Sequence, residues 1–78
     1  MKLLVRNLSR STGEQDIRDL FSTHGTVTEC DLVLDKVTGQ SKGFAFVEMP
    51  DEKEAVKAIS ALNESVVDKS KLRVKAAV

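Results

Sequence analysis

The chain has few aromatic, sulfur-containing or imidazole side chains. Its 78 residues include no tryptophan, no tyrosine, three phenylalanines, one cysteine and one histidine. The single cysteine, Cys30, excludes an internal disulfide and suits a reducing compartment. One cysteine and one histidine, His24, are too few to assemble an ordinary metal site from these residue types. We therefore expect no metal ion and no other cofactor.

Long apolar runs and a net charge are also missing. The longest unbroken apolar run is the four residues 44–47, so we expect no transmembrane segment and no signal-peptide core in this sequence. The formal net charge is zero, so the overall charge does not indicate a nucleic-acid partner. The remainder, 41% hydrophobic and 31% charged residues, is typical of one soluble globular domain over 1–78. We expect a monomer that is cytoplasmic, or nuclear in a eukaryote.

Hydrophobic periodicity predicts the order strand, helix, strand, strand, helix, strand. The four strands are predicted at 2–6, 27–34, 42–49 and 71–75, and the two helices are predicted to run to about His24 and Asn63. The short apolar pair at 66–67 is too brief to assign to an element. The second helix carries its apolar residues at helical spacing, and these are Ala55, Ala58, Ile59 and Leu62.

Capping signals mark where the predicted helices begin and end. The capping-box pairs are Ser11 with Glu14, Thr12 with Gln15, and Asp51 with Glu54. Gly25 lies where a left-handed C-cap would end the first helix. Between these signals, Ile17, Leu20 and Phe21 form an apolar stripe at i, i+3 and i+4. The first helix is therefore expected to turn this stripe toward the core.

This element order predicts an α+β fold of the ferredoxin-like, split βαβ type, in which two helices cover one face of a four-stranded antiparallel sheet. Right-handed crossovers put the strands in the spatial order four, one, three, two. The first and third strands then lie side by side in the centre. Because the helices cover only one face, the other face is expected to be open to solvent.

The third strand, which reads KGFAFVEM, places two aromatic rings on one side. Successive side chains of a strand point to opposite faces of the sheet. The wholly apolar side, which we assign to the core, consists of Ala45, Val47 and Met49. Phe44 and Phe46 share the other side with Lys42 and Glu48. The pattern therefore predicts two rings on the open face, among charged side chains.

The same alternation in the other strands predicts the composition of the open face. Its basic members are Lys2, Arg6, Lys42, Lys71, Arg73 and Lys75, its acidic members are Glu29, Asp31 and Glu48, and its apolar members are Leu4, Val33, Phe44 and Phe46. The face then has a net charge of +3 and the rest of the chain a net charge of −3. Two rings in a basic field suit single-stranded nucleic acid, because rings stack on bases and cations contact phosphates.

The sequence resembles the RNA recognition motif family over about residues 2–76. KGFAFVEM matches the longer signature of that family, K/R-G-F/Y-G/A-F-V-x-F/Y, at seven of eight positions, and Met49 replaces the final aromatic residue. LLVRNL, at residues 3–8, is similar to the shorter signature on the first strand. The stretch DKVTGQSKGF also resembles the usual loop into the third strand.

The resemblance implies RNA binding on the open face of the sheet. Phe46 would stack on a base, Phe44 would pack against sugar or between nucleotides, and Lys42 would contact phosphate. Leu4 stands where the family usually has a second stacking aromatic residue, so one stacking platform is missing. Glu64 stands where the family often has glycine.

We predict a non-enzymatic module that binds single-stranded RNA; the sequence does not distinguish RNA from single-stranded DNA. The predicted RNA-binding residues are Phe44, Phe46, Lys42, Leu4, Lys2, Arg6, Lys71, Arg73 and Lys75. Two alternatives remain open at this stage. The fold also suits a protein–protein interaction module, which the missing aromatic residue at position 4 favours. A small enzyme on the same scaffold is disfavoured, because no candidate acid–base pair is found.

Overall fold

The protein has two helices and six strands within residues 1–77, the part of the chain that the computed structural model describes. The strands are β1 (Lys2–Arg6), β2 (Glu29–Leu34), β3 (Ser41–Glu48), β4 (Val66–Val67), β5 (Ser70–Lys71) and β6 (Arg73–Ala76), and the helices are α1 (Glu14–Ser22) and α2 (Glu52–Leu62). The predicted element order is confirmed for the four sheet strands and both helices. Neither helix in this part of the chain is long and apolar enough to cross a membrane.

Four strands form one antiparallel sheet in the order β2-β3-β1-β6. This confirms the predicted spatial order, with the first and third strands in the centre. Leu3 lies opposite Val47, and Leu4 lies opposite Phe46, in the central β1–β3 pair. Leu3 and Val47 are fully buried in the core that both helices share, whereas Leu4 and Phe46 are only partly buried on the other face. The sheet is therefore covered on one side only.

The core follows the predicted apolar pattern. The inward residues of the sheet and helices that are buried as predicted are Ile17, Phe21, Cys30, Ala45, Val47, Met49, Ala55, Ala58, Leu62, Leu72 and Val74. Phe21 on α1 is the largest fully buried side chain, and its loss to alanine is expected to cost about 3–5 kcal/mol. Burial also raises the pKa of the Cys30 thiol, with a further contribution from the charge of Glu14. The thiol is therefore neutral at physiological pH.

Helix α1 begins at a different cap from the one predicted. Its N-cap is Gly13, whose backbone N–H donates a hydrogen bond to the Asp16 carboxylate at 2.9 Å. The two capping boxes predicted within 11–15 are therefore wrong. The buried Thr12 hydroxyl instead donates to the Asp68 carboxylate at 2.6 Å. This bond joins residues far apart in sequence, so the local pattern could not predict it.

Gly25 follows α1, but it is not the predicted left-handed cap. Positive φ values among the described glycines occur at Gly39 and Gly43, and the C-cap residue of the helix is Thr23, which has a right-handed conformation. A Cβ atom at position 25 would lie 2.5 Å from the Cβ of Glu54. Glycine is needed here because the chain passes close to α2, and not because of its backbone angles.

Helix α2 has the predicted N-cap but only half of the predicted capping box. The Asp51 carboxylate accepts hydrogen bonds from the Lys53 and Glu54 backbone N–H groups, at 2.9 and 3.2 Å. The Glu54 carboxylate accepts from the Thr26 backbone N–H at 3.1 Å. The side chain that would complete the box therefore ties the loop after α1 to the first turn of α2.

The pairing of β2 with β3 is irregular at one end. Leu32 pairs with Ala45, but Leu34 pairs with Ser41, so extra residues of β3 are accommodated between these pairs. Gly43 lies in this region with a φ of 86°, a value that L side chains rarely adopt. Leu34, which simple alternation places on the core side, lies beyond this irregularity at the end of β2 and is 51% exposed.

The predicted last strand, 71–75, is divided in two. β4 and β5 form a separate two-stranded hairpin. Asp68 and Lys69 connect them, with φ values of 50° and 68°, as in a two-residue turn with both central residues left-handed. Lys71 lies on this hairpin, so its predicted place in the last sheet strand is wrong. The turn lacks the usual glycine or asparagine, so no local pattern indicated it.

Candidate nucleic-acid interface

Two phenylalanine rings lie on the open face of β3. Phe44 and Phe46 are partly exposed, whereas Ala45 and Val47, which alternate with them, are fully buried. The ring centroids are 6.3 Å apart and the ring planes meet at 87°, an edge-to-face arrangement. This confirms the alternation predicted for the strand. It also places flat apolar surface in contact with solvent at the centre of the sheet.

Besides Phe44, three side chains surround the Phe46 ring. Leu4 on β1 and Asp31 on β2 are its direct cross-strand partners, one on each side. Lys2 reaches across from β1, and its Nζ lies 5.1 Å from the ring centroid. This distance is within the range of a cation–π contact. Because Leu4 is aliphatic, Phe46 has no second aromatic ring beside it on β1.

A basic groove lies next to Phe44, at the end of the sheet where β1 ends. It has a volume of about 270 Å³ and is lined by Arg6, Asn7, Leu8, Arg10, Lys42, Gly43 and Phe44. The Leu8 backbone N–H donates to the Gly43 carbonyl at 2.8 Å, which holds the loop after β1 against β3. Three cationic side chains thus converge beside one partly exposed ring, an arrangement that suits an anionic phosphate group.

Arg10 is a residue of this groove that the sequence analysis missed. It lies in the loop between β1 and α1, which an argument from strand alternation does not reach. The nearby β2–β3 loop is ordered by Asp35, whose carboxylate accepts from the Thr38 and Val37 backbone N–H groups at 3.1 and 2.8 Å. These bonds lower the pKa of Asp35, and the charge of Arg10 lowers it further. The guanidinium of Arg10 therefore acts on both the groove and this loop.

On the other side of β1, the short strand β6 extends the basic surface. Arg73 lies opposite Arg6, and Lys75 lies opposite Leu4. Both β6 side chains are exposed. The Nη1 atom of Arg73 lies 3.4 Å from Oε1 of Glu64. The charge of Arg73 is therefore partly matched inside the protein.

The structure brings together most, but not all, of the predicted site residues. Those that share the open face of the four-stranded sheet are Lys2, Leu4, Arg6, Lys42, Phe44, Phe46, Arg73 and Lys75. Lys71 lies apart, on β5. Its loss lowers the net charge of the face from the predicted +3 to +2.

The acidic side chains of the open face lie together on its β2 side. Glu29 on β2 is directly opposite Glu48 on β3, and Asp31 follows on β2, opposite Phe46. Like charges in direct cross-strand positions repel each other. The face is thus divided into a basic and an acidic part.

Within residues 1–77, no group of three or more His, Cys, Asp or Glu side chains is arranged to hold a metal ion.

A comparison with known protein families identifies this architecture. The family model described as RNA recognition motif matches residues 3–73. The chain belongs to the RNA recognition motif family. The similarity noted in the sequences of β1 and β3 therefore extends over nearly the whole chain, including both helices.

Individual relatives agree with this membership. The chain is 41% identical over 73 residues to Glycine-rich RNA-binding protein 1 of Mycosarcoma maydis, an overlap that covers 94% of this chain and 42% of that protein. The solved structure of RNA Binding Protein PG1 has a TM-score of 0.96 and 40% identity, with coverage of 100% of this chain and 94% of that one. The solved structure of an Sxl-lethal protein/RNA complex has a TM-score of 0.92 and 33% identity. The match covers 97% of this chain and 47% of that one. This chain spans less than half the length of the curated relatives it matches.

Proposed function

We propose that this RNA recognition motif binds single-stranded RNA on the open face of its sheet. The observation that carries the proposal is the pair of partly exposed rings, Phe44 and Phe46, with Lys2 beside one ring and the cationic groove beside the other. Buried apolar side chains are accounted for by the core. Partly exposed rings in the middle of an uncovered sheet are not, and a ligand with flat apolar groups explains them best. Nucleobases are such groups.

Base stacking is assigned to Phe46, and a contact with sugar or between nucleotides is assigned to Phe44. The family resemblance implies these two roles, and the 87° angle between the ring planes means that one flat base cannot stack on both rings at once. A base that stacks on Phe46 has to displace the Lys2 ammonium from the ring. Lys2 is exposed, and a cation–π contact at an exposed site contributes only about 0.5–1 kcal/mol. The displaced ammonium is then free to meet a phosphate.

Phosphate contacts are assigned to the basic groove beside Phe44. Arg6, Arg10 and Lys42 line this groove, so a nucleotide on Phe44 would have its phosphate within their reach. Arg73 and Lys75 would extend the contact along β6. Arginine is well suited to this role because its planar fork donates two parallel hydrogen bonds to one phosphate.

The comparisons support RNA as the ligand at the level of the family. Glycine-rich RNA-binding protein 1 and RNA Binding Protein PG1 are RNA-binding by name, and the Sxl-lethal structure is a complex with RNA. No relative supplies the residue roles given above for this chain. The roles of Phe46, Phe44 and Lys42 are those that the family resemblance implies, and the exposure, register and charges of the open face of this chain support them.

The test is a titration of the protein with short randomised RNA, followed by NMR of the backbone amides. We expect shifts on β1 and β3 around Phe46, and in the groove around Lys42. Shifts confined to the outer surface of α2 on adding RNA, or no shifts, would overturn the proposal. The same titration with DNA of equal length measures the contribution of the 2′-hydroxyl.

The matched variant for this test is Phe46→Ala. It should weaken RNA binding by about 1–3 kcal/mol, the usual worth of one base–aromatic stack. Folding should survive, because the ring is partly exposed and the buried neighbours Ala45 and Val47 are untouched. Phe21→Ala is the control, since Phe21 is fully buried and its loss should instead lower the melting temperature. Unchanged affinity of Phe46→Ala would contradict the stacking role.

A further inference from the structure

The two flanks of the Phe46 ring carry opposite charges. On the β1 flank, the Lys2 ammonium lies 5.1 Å from the ring centroid. On the β2 flank, the direct cross-strand partner of Phe46 is Asp31. Side chains in such positions on one face have Cβ atoms about 4.5–5.5 Å apart. A planar group that stacks on the ring displaces this ammonium toward the β1 edge, and it would then have a cation beside one edge and a carboxylate beside the other.

The Asp31 carboxylate is available to a ligand. Asp31 is exposed, and within residues 1–77 it takes part in no ion pair. The lack of a structural partner matters, because a carboxylate held by a protein cation would have little remaining capacity for a base. An ionised carboxylate accepts hydrogen bonds and cannot donate them.

We propose that Asp31 selects the base that stacks on Phe46, and that it favours bases with an exocyclic amino group over uracil. This inference rests on the proposed RNA-binding function and names the class of base at its central position. The phosphate of the stacked nucleotide faces the Lys2 flank, and the edge of the base faces Asp31. Cytosine and adenine then donate an amino N–H to the carboxylate. Uracil presents a carbonyl oxygen at the corresponding position, and two acceptors repel each other.

The size of the selection follows from hydrogen bonding at a partly solvated edge. A good pair between a carboxylate and a base amino group is worth enough to discriminate against a wrong base several-fold or more. Water competes at this exposed position, so we expect the low end, a preference of about fivefold. Cytosine and uracil are the fair comparison, since both are pyrimidines of similar size and differ at this edge.

The experiment measures dissociation constants for hexacytidylate and hexauridylate at one salt concentration. The parent should bind hexacytidylate about fivefold more tightly. Asp31→Asn keeps the shape but adds an N–H donor, which can bond to the uracil carbonyl, so the ratio should fall toward one. Asp31→Ala removes the acceptor and should also bring the ratio toward one. A melting curve of each variant would detect a folding defect. If one of the two variants fails to fold, the other still tests the role of Asp31.

Glu29→Gln is the matched control. It removes the same charge from the same face of β2, two residues away, and Glu29 lies opposite Glu48 rather than the ring. Glu29→Gln should bind both hexamers slightly more tightly and leave the ratio unchanged, whereas the Asp31 variants should change the ratio. Equal binding of the two hexamers by the parent, or an unchanged ratio in both Asp31 variants, would overturn the selection by Asp31. That result differs from failure of the proposed function, in which neither hexamer binds or Phe46→Ala has no effect.

Discussion

Residue 4 sets how much flat aromatic surface the centre of the sheet presents. Leu4 lies directly opposite Phe46 and is partly buried on the open face. An aliphatic side chain makes van der Waals contact with a base, but it has no π face on which a base can stack. Across this pair of positions the sheet therefore presents one aromatic ring, that of Phe46, rather than two.

Leu4→Phe should strengthen RNA binding, by up to about 1–3 kcal/mol if a full stack is gained. Stability should change little, since the buried neighbours Leu3 and Val5 keep their positions. Leu4→Met is the matched control, because it stays apolar without adding a ring. The measurement is a titration of all three proteins against one short RNA, with a melting curve for each. Equal affinity of the phenylalanine variant and the parent would mean that RNA does not pass over position 4.

Glu64 limits the charge that β6 offers to a ligand. Its carboxylate lies 3.4 Å from Arg73, and both side chains are more than half exposed, so the pair is weak. Glu64 also has a φ of 69°, a conformation that glycine adopts more easily. The family often has glycine here, so this chain combines a strained backbone with a carboxylate beside a predicted phosphate-binding residue.

Glu64→Gln should raise RNA affinity about two- to threefold, because it frees the Arg73 guanidinium to contact phosphate. Losing the exposed Glu64–Arg73 ion pair should cost the protein little stability. Glu64→Gly should do the same and should not lower the melting temperature, since it relieves the left-handed strain. Glu52→Gln, the control, makes the same charge change at an exposed position on α2, away from the sheet. If the Glu52 and Glu64 variants gain equally, the effect is one of overall charge and not of the Arg73 pair.

At the scale of elements, the helices are fixed by contacts between segments as well as by their own caps. The Asp51 cap of α2 is local and was predictable, because its partners are only two and three residues away. The Thr12–Asp68 bond and the Thr26–Glu54 bond are not local. Thr12 and Glu54 were both predicted to cap a helix locally. Each instead joins one end of a helix to a distant part of the chain.

Gly25→Ala tests how closely the loop after α1 passes α2. The added Cβ would lie 2.5 Å from the Glu54 Cβ, which is part of α2 and cannot swing away. We expect a loss of about 1–3 kcal/mol in the free energy of unfolding, measured with urea, as is typical of overpacking. Gly25→Asn should destabilise at least as much. A well-tolerated asparagine would instead indicate the left-handed cap that the sequence suggested, because asparagine accepts that conformation.

At the scale of the whole molecule, a chain with no net charge has a divided charge distribution. The open face carries a net charge of +2, and its acidic residues gather on the β2 side. Among the lysines and arginines of the described residues, Arg73 is the one that forms an ion pair with an acidic side chain. Most cations of the face are therefore free to meet phosphates, but they are few.

RNA binding should weaken with salt, and only gradually. Contacts with about two to four phosphates give a slope of about −1.5 to −3 in a plot of log affinity against log salt for a single strand. Lys42→Gln should make the slope shallower by about 0.7. Lys57→Gln, an exposed α2 position, is the control and should leave it unchanged. A parent slope near zero would contradict the phosphate contacts, and one steeper than about −5 would require basic residues beyond this face.

The sequence by itself determined the element order, the inner and outer faces of the strands, and the exposure of Phe44 and Phe46. Each of these follows from residues close together in the chain, through the period-two alternation of strands and the helical spacing of apolar residues. The spatial order of the strands was also predictable, because the handedness of crossovers leaves little choice.

Only the tertiary structure decided the composition of the site. Arg10 joins the groove because a loop folds back against β3, and Lys71 leaves the sheet because two residues with positive φ close a separate hairpin. The pairing of Asp31 with Phe46 depends on the register of β2 against β3, which contains an irregularity. Alternation assigns a residue to a face of its own strand, but its neighbour on the next strand depends on how the whole chain packs.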